Sequence, residues 1–127
     1  MSLQIGKAIY QILSGDTSVK NYVGSKIFPI CANEGVLAPF VVYERYNIDP
    51  EYTKDGPLQD VCVVLVNIIA KEYAECVDIA QAVRKALEGK LGVYNGVMIL
   101  QNQLAGAKED YGIDGYITQL EFSITSK

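Results

Sequence analysis

One run constrains this chain more than any other. Leu58-Gln59-Asp60-Val61-Cys62-Val63-Val64-Leu65-Val66-Asn67-Ile68-Ile69-Ala70-Lys71 is its most apolar stretch. β-Branched residues dominate it, and they suit a pleated, packed surface. The odd positions Val61, Val63, Leu65 and Ile69 are apolar, and so are the even positions Cys62, Val64, Val66 and Ile68. A strand apolar on both sides wants cover on two faces, which places it inside a sheet. The chain then runs straight into Glu72–Glu88, where Tyr73, Cys76, Val77, Ala80, Val83 and Leu87 fall at helical spacing. That single stripe can cover only one face of the sheet. Whatever covers the other must come from elsewhere.

The flanking segments define the rest of the architecture. Ser2 is a candidate N-cap for a first helix carrying Ile5, Ala8, Ile9, Ile12 and Leu13 on one face. Gly15 ends it, and Asp16 can cap a shorter helical turn through Val19, Tyr22 and Val23. Lys26–Pro29 is a short extended segment that Pro29 confines to an edge. Pro39–Asn47 reads as a strand, with Phe40, Val42 and Tyr46 on one face and Val41 and Tyr43 on the other. Asp49–Pro57 is dense in turn residues and is expected to be a solvent-projecting loop between antiparallel strands. Gly89 is the helix stop, Asn95-Gly96 a tight-turn signal, and Val97–Ala105 a strand. Gly106–Gly115 reads as a second polar, glycine-rich connection. In the last strand Tyr116, Leu120, Phe122 and Ile124 share one face, while Gln119, Glu121, Ser123 and Thr125 share the other.

Strands and helices do not alternate strictly. The expected fold is therefore α+β: a mainly antiparallel sheet of four to five strands, with one long helix and an N-terminal helix packed on one face. The 127 residues fit one domain, 1–127, with no repeat and no low-complexity segment.

Composition excludes several functions. The net charge of −4 argues against sequence-independent nucleic-acid binding, which rests on Lys and Arg neutralising phosphates. It argues equally against docking on an anionic membrane. The apolar run is too short to span a bilayer, and the amino terminus shows no signal-peptide pattern. Three cysteines, Cys31, Cys62 and Cys76, lack paired spacing and fit a reducing compartment. There is no histidine, so Ser-His-Asp and Cys-His sites are impossible within the chain. No catalytic residue, metal site or cofactor is expected. Gly89-Lys90 fails as a P-loop, since Arg84 stands where glycine is needed and Leu91 where Ser or Thr is needed. Glu109, Asp110 and Asp114 cluster but do not match a calcium loop, and solvated loop charges are the ordinary case. Tyr43, Tyr46 and Tyr52 lie on or beside one hairpin. Tyrosine serves interfaces and ordinary sheet surfaces alike, so both readings stand for Tyr46 and Tyr52, while Tyr43 points to the core.

Several segments, taken in order, resemble a known family. Ile9-Tyr10-Gln11-Ile12-Leu13 lies in the first helix, and Val23-Gly24-Ser25-Lys26-Ile27-Phe28-Pro29 and Ala38-Pro39-Phe40-Val41-Val42-Tyr43 follow. The strand Val61–Ile69, the helix end Val83-Arg84-Lys85-Ala86-Leu87 and the closing Glu121-Phe122-Ser123-Ile124 complete the set. Together they resemble the tail-completion, or tail-to-head joining, proteins of long-tailed phages. The resemblance implies a non-enzymatic virion or prophage component. It would cap the tail tube as a ring, six-fold on assembly, and contact the tail-tube protein and the head connector protein. Its place would be the virion tail, and the bacterial host cytoplasm during assembly. Contact specificity would lie in the loops, which makes Tyr46, Tyr52, Lys54 and Asp55 on the first hairpin and Glu109, Asp110 and Tyr111 on the second the candidate assembly interface. A ring subunit could bury the second sheet face against a neighbour. The residues alone also permit a small cytosolic adaptor or ligand-binding domain acting through the tyrosine-bearing hairpin.

Overall fold

The computed structural model describes residues 2–127; Met1 lies outside the described residues. A 3-10 turn, Ser2–Gln4, leads into α1 (Ile5–Gly15), followed by α2 (Thr17–Val23) and a short strand β1 (Ile27–Pro29). Two long strands come next, β2 (Phe40–Thr53) and β3 (Gly56–Ala70), then α3 (Tyr73–Leu87). The chain closes with β4 (Gly92–Tyr94), β5 (Val97–Gly112) and β6 (Gly115–Ser126).

The six strands form one sheet in the order β1-β2-β3-β6-β5-β4. All pairs are antiparallel except β1 with β2. The architecture is α+β and mainly antiparallel, but it holds six strands where four to five were expected. The additional one is β4, which Asn95 and Gly96 fold back onto β5; both have positive φ, as a type I′ turn needs.

β3 is interior, with β2 on one side and β6 on the other. Its even residues Cys62, Val64, Val66, Ile68 and Ala70 face the helices. They join Val41 and Tyr43 of β2, Leu120, Phe122 and Ile124 of β6, and the apolar stripe Ile5, Ala8, Ile9, Ile12 and Leu13 of α1 in one core. Fully burying each large aliphatic or aromatic side chain contributes about 1.5–3 kcal/mol. From α3 the core takes Cys76, Ile79, Ala80, Val83, Ala86 and Leu87. Tyr73 and Val77, expected in that stripe, lie on its exposed flank.

The odd residues of β3 face the other way, and none of the three helices packs on them. Phe40, Leu65 and Ile69 are nevertheless buried there. Cross-strand neighbours shield one another: Ile69 stands between Phe40 and Ile117, and Leu65 between Glu44 and Glu121. The Phe28 ring meets Phe40 edge-on at 6.4 Å. Asn67 breaks the apolar row, and its Oδ1 accepts a hydrogen bond from Gln119 Nε2 at 3.1 Å.

Both expected loops are strand. Asp49–Pro57 continues the β2–β3 ladder, leaving only Lys54–Asp55 as the turn. Gly106–Gly115 continues the β5–β6 ladder, leaving Ile113–Asp114 as the turn. The register shifts at Arg45/Asn47, Glu51/Tyr52, Ile99/Gln101 and Leu104/Gly106, where Tyr46, Leu58, Leu100 and Ala105 are the extra residues. Tyr46 is the extra residue of the first of these shifts and has no direct partner on β3. The caps divide similarly. Asp16 Oδ1 accepts from Val19 N at 3.0 Å and caps α2 as expected. Ser2 does not cap α1; it is buried, and its hydroxyl accepts from Ser126 Oγ at 2.9 Å.

Val64→Asp buries an unpaired charge among the helices and should cost at least about 3 kcal/mol in denaturant unfolding. Leu65→Asp, on the helix-free face, should cost less. Gly115 has φ +128°, and a Cβ there would collide with Ala70 O, so Gly115→Ala should lower stability by about 2–4 kcal/mol. Amides of the two-stranded extension Asp49–Gln59 should exchange with solvent far faster than those of Val61–Ile69, since a hairpin without a third strand is marginal in water.

Candidate assembly surface

Strand lengths decide where the exposed side chains go. The last β3–β6 pair at one end is Asp60 with Ser126. Beyond it β2 and β3 continue alone through Glu51–Gln59, Tyr52–Pro57 and Thr53–Gly56. The result is a two-stranded arm reaching roughly 15–17 Å past β6, at about 3.3 Å per residue. Side chains fasten its end: Thr53 Oγ1 accepts from Asp55 N at 3.2 Å and donates to Gly56 O at 3.2 Å. Gln59 Nε2 donates to Glu51 Oε2 at 3.1 Å across the ribbon. Tyr52, Lys54 and Asp55 are exposed at this tip, and Tyr46 is exposed at the root.

The other candidates lie at the opposite end of the sheet, where β3 leaves its ladder at the Ala70–Tyr116 pair. Tyr111 pairs with Tyr116, and their rings meet edge-on at 5.0 Å. Tyr116 in turn meets Tyr73 of α3 edge-on at 5.7 Å. The Glu109 carboxylate beside the Tyr73 hydroxyl raises the phenol's pKa above its ordinary value. A shallow hollow of about 340 Å³ is framed by these tyrosines, Glu109 and Ile117. Alternation sends Glu109 and Tyr111 to the helix side and Asp110 to the other. Asp110 Oδ1 is occupied by Tyr111 N at 2.8 Å.

The seven candidates thus form two groups, one at each end of the strands. Tyr52, Lys54 and Asp55, with Tyr46 below them, make up the first. Glu109, Asp110 and Tyr111 make up the second. The sequence reading missed Tyr73 and Tyr116, which complete the aromatic cluster, and Ile113 at the β5–β6 turn. Ile113 had a signal: it is a lone β-branched apolar residue in an otherwise polar, glycine-rich segment. Tyr73 and Tyr116 had none, since both sit at positions that also suit a core stripe.

Both groups present exposed aromatic and charged side chains. Among the described residues no three His, Cys, Asp or Glu side chains are grouped to hold a metal ion. Asp110 and Glu109 are held apart by the pleat. Among the described residues no helix is long and apolar enough to cross a membrane. Cys62 and Cys76 are buried; burial pushes the Cys62 thiol pKa up, and Cys76 Sγ donates to Ile68 O at 3.3 Å. Cys31 is exposed.

This fold is shared with a solved chain of the "Virion of native gene transfer agent (GTA) particle". The TM-score is 0.82 at 22% identity, over 94% of this chain and 91% of that one. No curated protein sequence matches the chain. Residues 7–125 match the family model described as tail completion protein gp17. That span takes in every helix core and all six strands up to the last residue of β6, and the chain belongs to the tail completion protein gp17 family.

Proposed function

We propose that this chain is a non-enzymatic structural protein of a phage or prophage virion, and that it caps the tail tube as a ring and joins it to the head connector. The family match over residues 7–125 carries this reading. The virion particle that holds the structurally similar chain supports it. Residues 1–127 form one tail-completion domain. It is made in the bacterial cytoplasm and ends in the virion tail.

The two groups of exposed residues support a ring. They differ in chemistry and lie at opposite ends of the sheet. A surface pair of that kind makes head-to-tail contacts, which close into rings when the rotation permits. Six copies are proposed, with the arm residues Tyr46, Tyr52, Lys54 and Asp55 and the cluster residues Glu109, Asp110 and Tyr111 as the assembly interface. The charge supports passage of DNA without capture. A basic lumen would hold phosphates, each adding salt-sensitive affinity. A net charge of −4 per copy leaves a ring that repels the duplex.

The same repulsion opposes self-association in dilute solution. Light scattering and native mass spectrometry should find a monomer or weak oligomer at low salt. Rings should appear at high protein concentration and higher salt, where screening shortens to about 8–10 Å and below. Duplex DNA should not bind at physiological salt. A stable dimer under every condition, or DNA binding, would overturn the ring and favour an adaptor acting through the tyrosine-bearing hairpin.

A further inference from the structure

Ile113 is the most exposed large apolar side chain of the described residues, fully open at the β5–β6 turn. The turn that carries it is rigidly aimed. Gly112 and Gly115 pair beneath it, and Gly115 packs so closely on Ala70 O that no side chain fits between them. Asp114, beside Ile113, makes no hydrogen bond or ion pair among the described residues. The tip is therefore an apolar knob with a free carboxylate next to it.

At the other end of the sheet lies an apolar cleft of about 380 Å³, in the crook between the arm and the amino-terminal turn. Leu3, Pro57 and Leu58 line it, with Asp60 and Lys127 at its polar edge. Leu3 and Leu58 are exposed. The cleft is held in shape from beneath: Ser126 Oγ donates to Ser2 Oγ at 2.9 Å, and Arg45 Nη1 donates to Leu3 O at 3.1 Å. That bond holds the exposed Arg45 guanidinium against the backbone of Leu3, beside the cleft, and Arg45 has no ion-pair partner among the described residues. A cation thus stands next to the cleft, whose own edge carries Asp60 and Lys127, and the tip carries an unpaired anion.

Knob and cleft cannot meet within one molecule. The Ala70–Tyr116 and Asp60–Ser126 pairs that mark the two ends are roughly 33 Å apart along the strands. We infer that Ile113 of one copy seats in the Leu3–Pro57–Leu58 cleft of a second copy, with Asp114 facing Arg45. The occupant is another copy of this chain because an apolar knob with a free carboxylate beside it, the counterpart of an apolar cleft with a cation beside it, is present on the same chain. A knob and a cleft at opposite ends make a heterologous contact, which repeats around a ring. This contact rests on the ring proposed above and says which surfaces close it.

The test is clean because Ile113 touches nothing in its own subunit. Ile113→Asp should leave the circular dichroism spectrum and thermal midpoint unchanged. It should raise the concentration needed for half-assembly at least about tenfold, since a buried carboxylate replaces a buried isoleucine. In a Cys31→Ser background, Ile113→Cys with Leu58→Cys should give a ladder of disulfide-linked multimers on mild oxidation, and either cysteine alone at most dimers. If rings form on native mass spectrometry, yet Ile113→Asp leaves them intact and no ladder appears, this contact is wrong while the ring stands. If Ile113→Asp abolishes joining of tails to heads without weakening self-assembly, Ile113 meets a different virion protein and the inference fails. If the unaltered chain forms no multimer at any concentration or salt, the ring and this contact fall together.

Discussion

A strand apolar on both faces sets the terms for everything around it. β3 cannot lie at an edge or on a surface without exposing one of its rows, so it is flanked by β2 and β6 along most of its length. The two rows are then satisfied differently. The even row is covered by α1, α2 and α3 and forms the main core. The odd row is shielded by its neighbours in the sheet, with Phe28, Phe40 and Ile117 closing over Ile69. Only one side of the sheet needs a helical layer, which is why a chain of this size can spend residues on long extensions.

The extensions are braced by the same core. The arm leaves the sheet where Asp60 pairs with Ser126. There Cys62 Sγ lies 3.8 Å from Ser126 Oγ, which bonds Ser2, so three distant segments meet in one buried polar chain. A buried hydroxyl pair costs little only when satisfied, and its register is therefore specific. Arg45 adds a second tie, from the bulge of β2 to the amino-terminal turn. The arm root is rigid while the ribbon beyond it has only two strands.

Much of this was legible from residue order. The interior position of β3, the stripe of α1, the Asp16 cap, the Asn95-Gly96 turn and the two faces of β6 all follow from periodicity and turn chemistry. The failures share one cause. Asp49–Pro57 and Gly106–Gly115 carry Gly, Pro and Asp, which locally favour turns, yet a ladder already under way extends through them because cross-strand pairing outweighs the local preference. The α3 stripe shifted by a fraction of a turn: Ile79 and Ala86 enter the core, and Tyr73 lies outside it against Tyr116. Of the candidate surface, the members of each group could be named from sequence. Their separation to opposite ends could not, because it depends on which strands outrun which neighbours.

The sheet has two open edges, and both are blunted against pairing with another chain. β1 covers β2 only through Tyr43, and β4 covers β5 only through Ile99. The free part of β2 carries one bulge, Glu44, Asp49, Pro50 and Glu51, and that of β5 carries two register shifts and Lys108-Glu109-Asp110. Proline, charge and bulges all disfavour strand addition. One of the free amides on β5 is already taken: Leu104 N donates to Glu88 Oε2 at 3.4 Å, on a carboxylate whose pKa is held down chiefly by its bond to Arg84. Edge-to-edge association, the ordinary hazard of such a sheet, is thereby suppressed along its length. What remains open is at the ends, where side chains rather than backbone groups are presented. The exposed side chains at the two ends are thus the surfaces this sheet leaves available for contact, while its edges are blunted against strand addition.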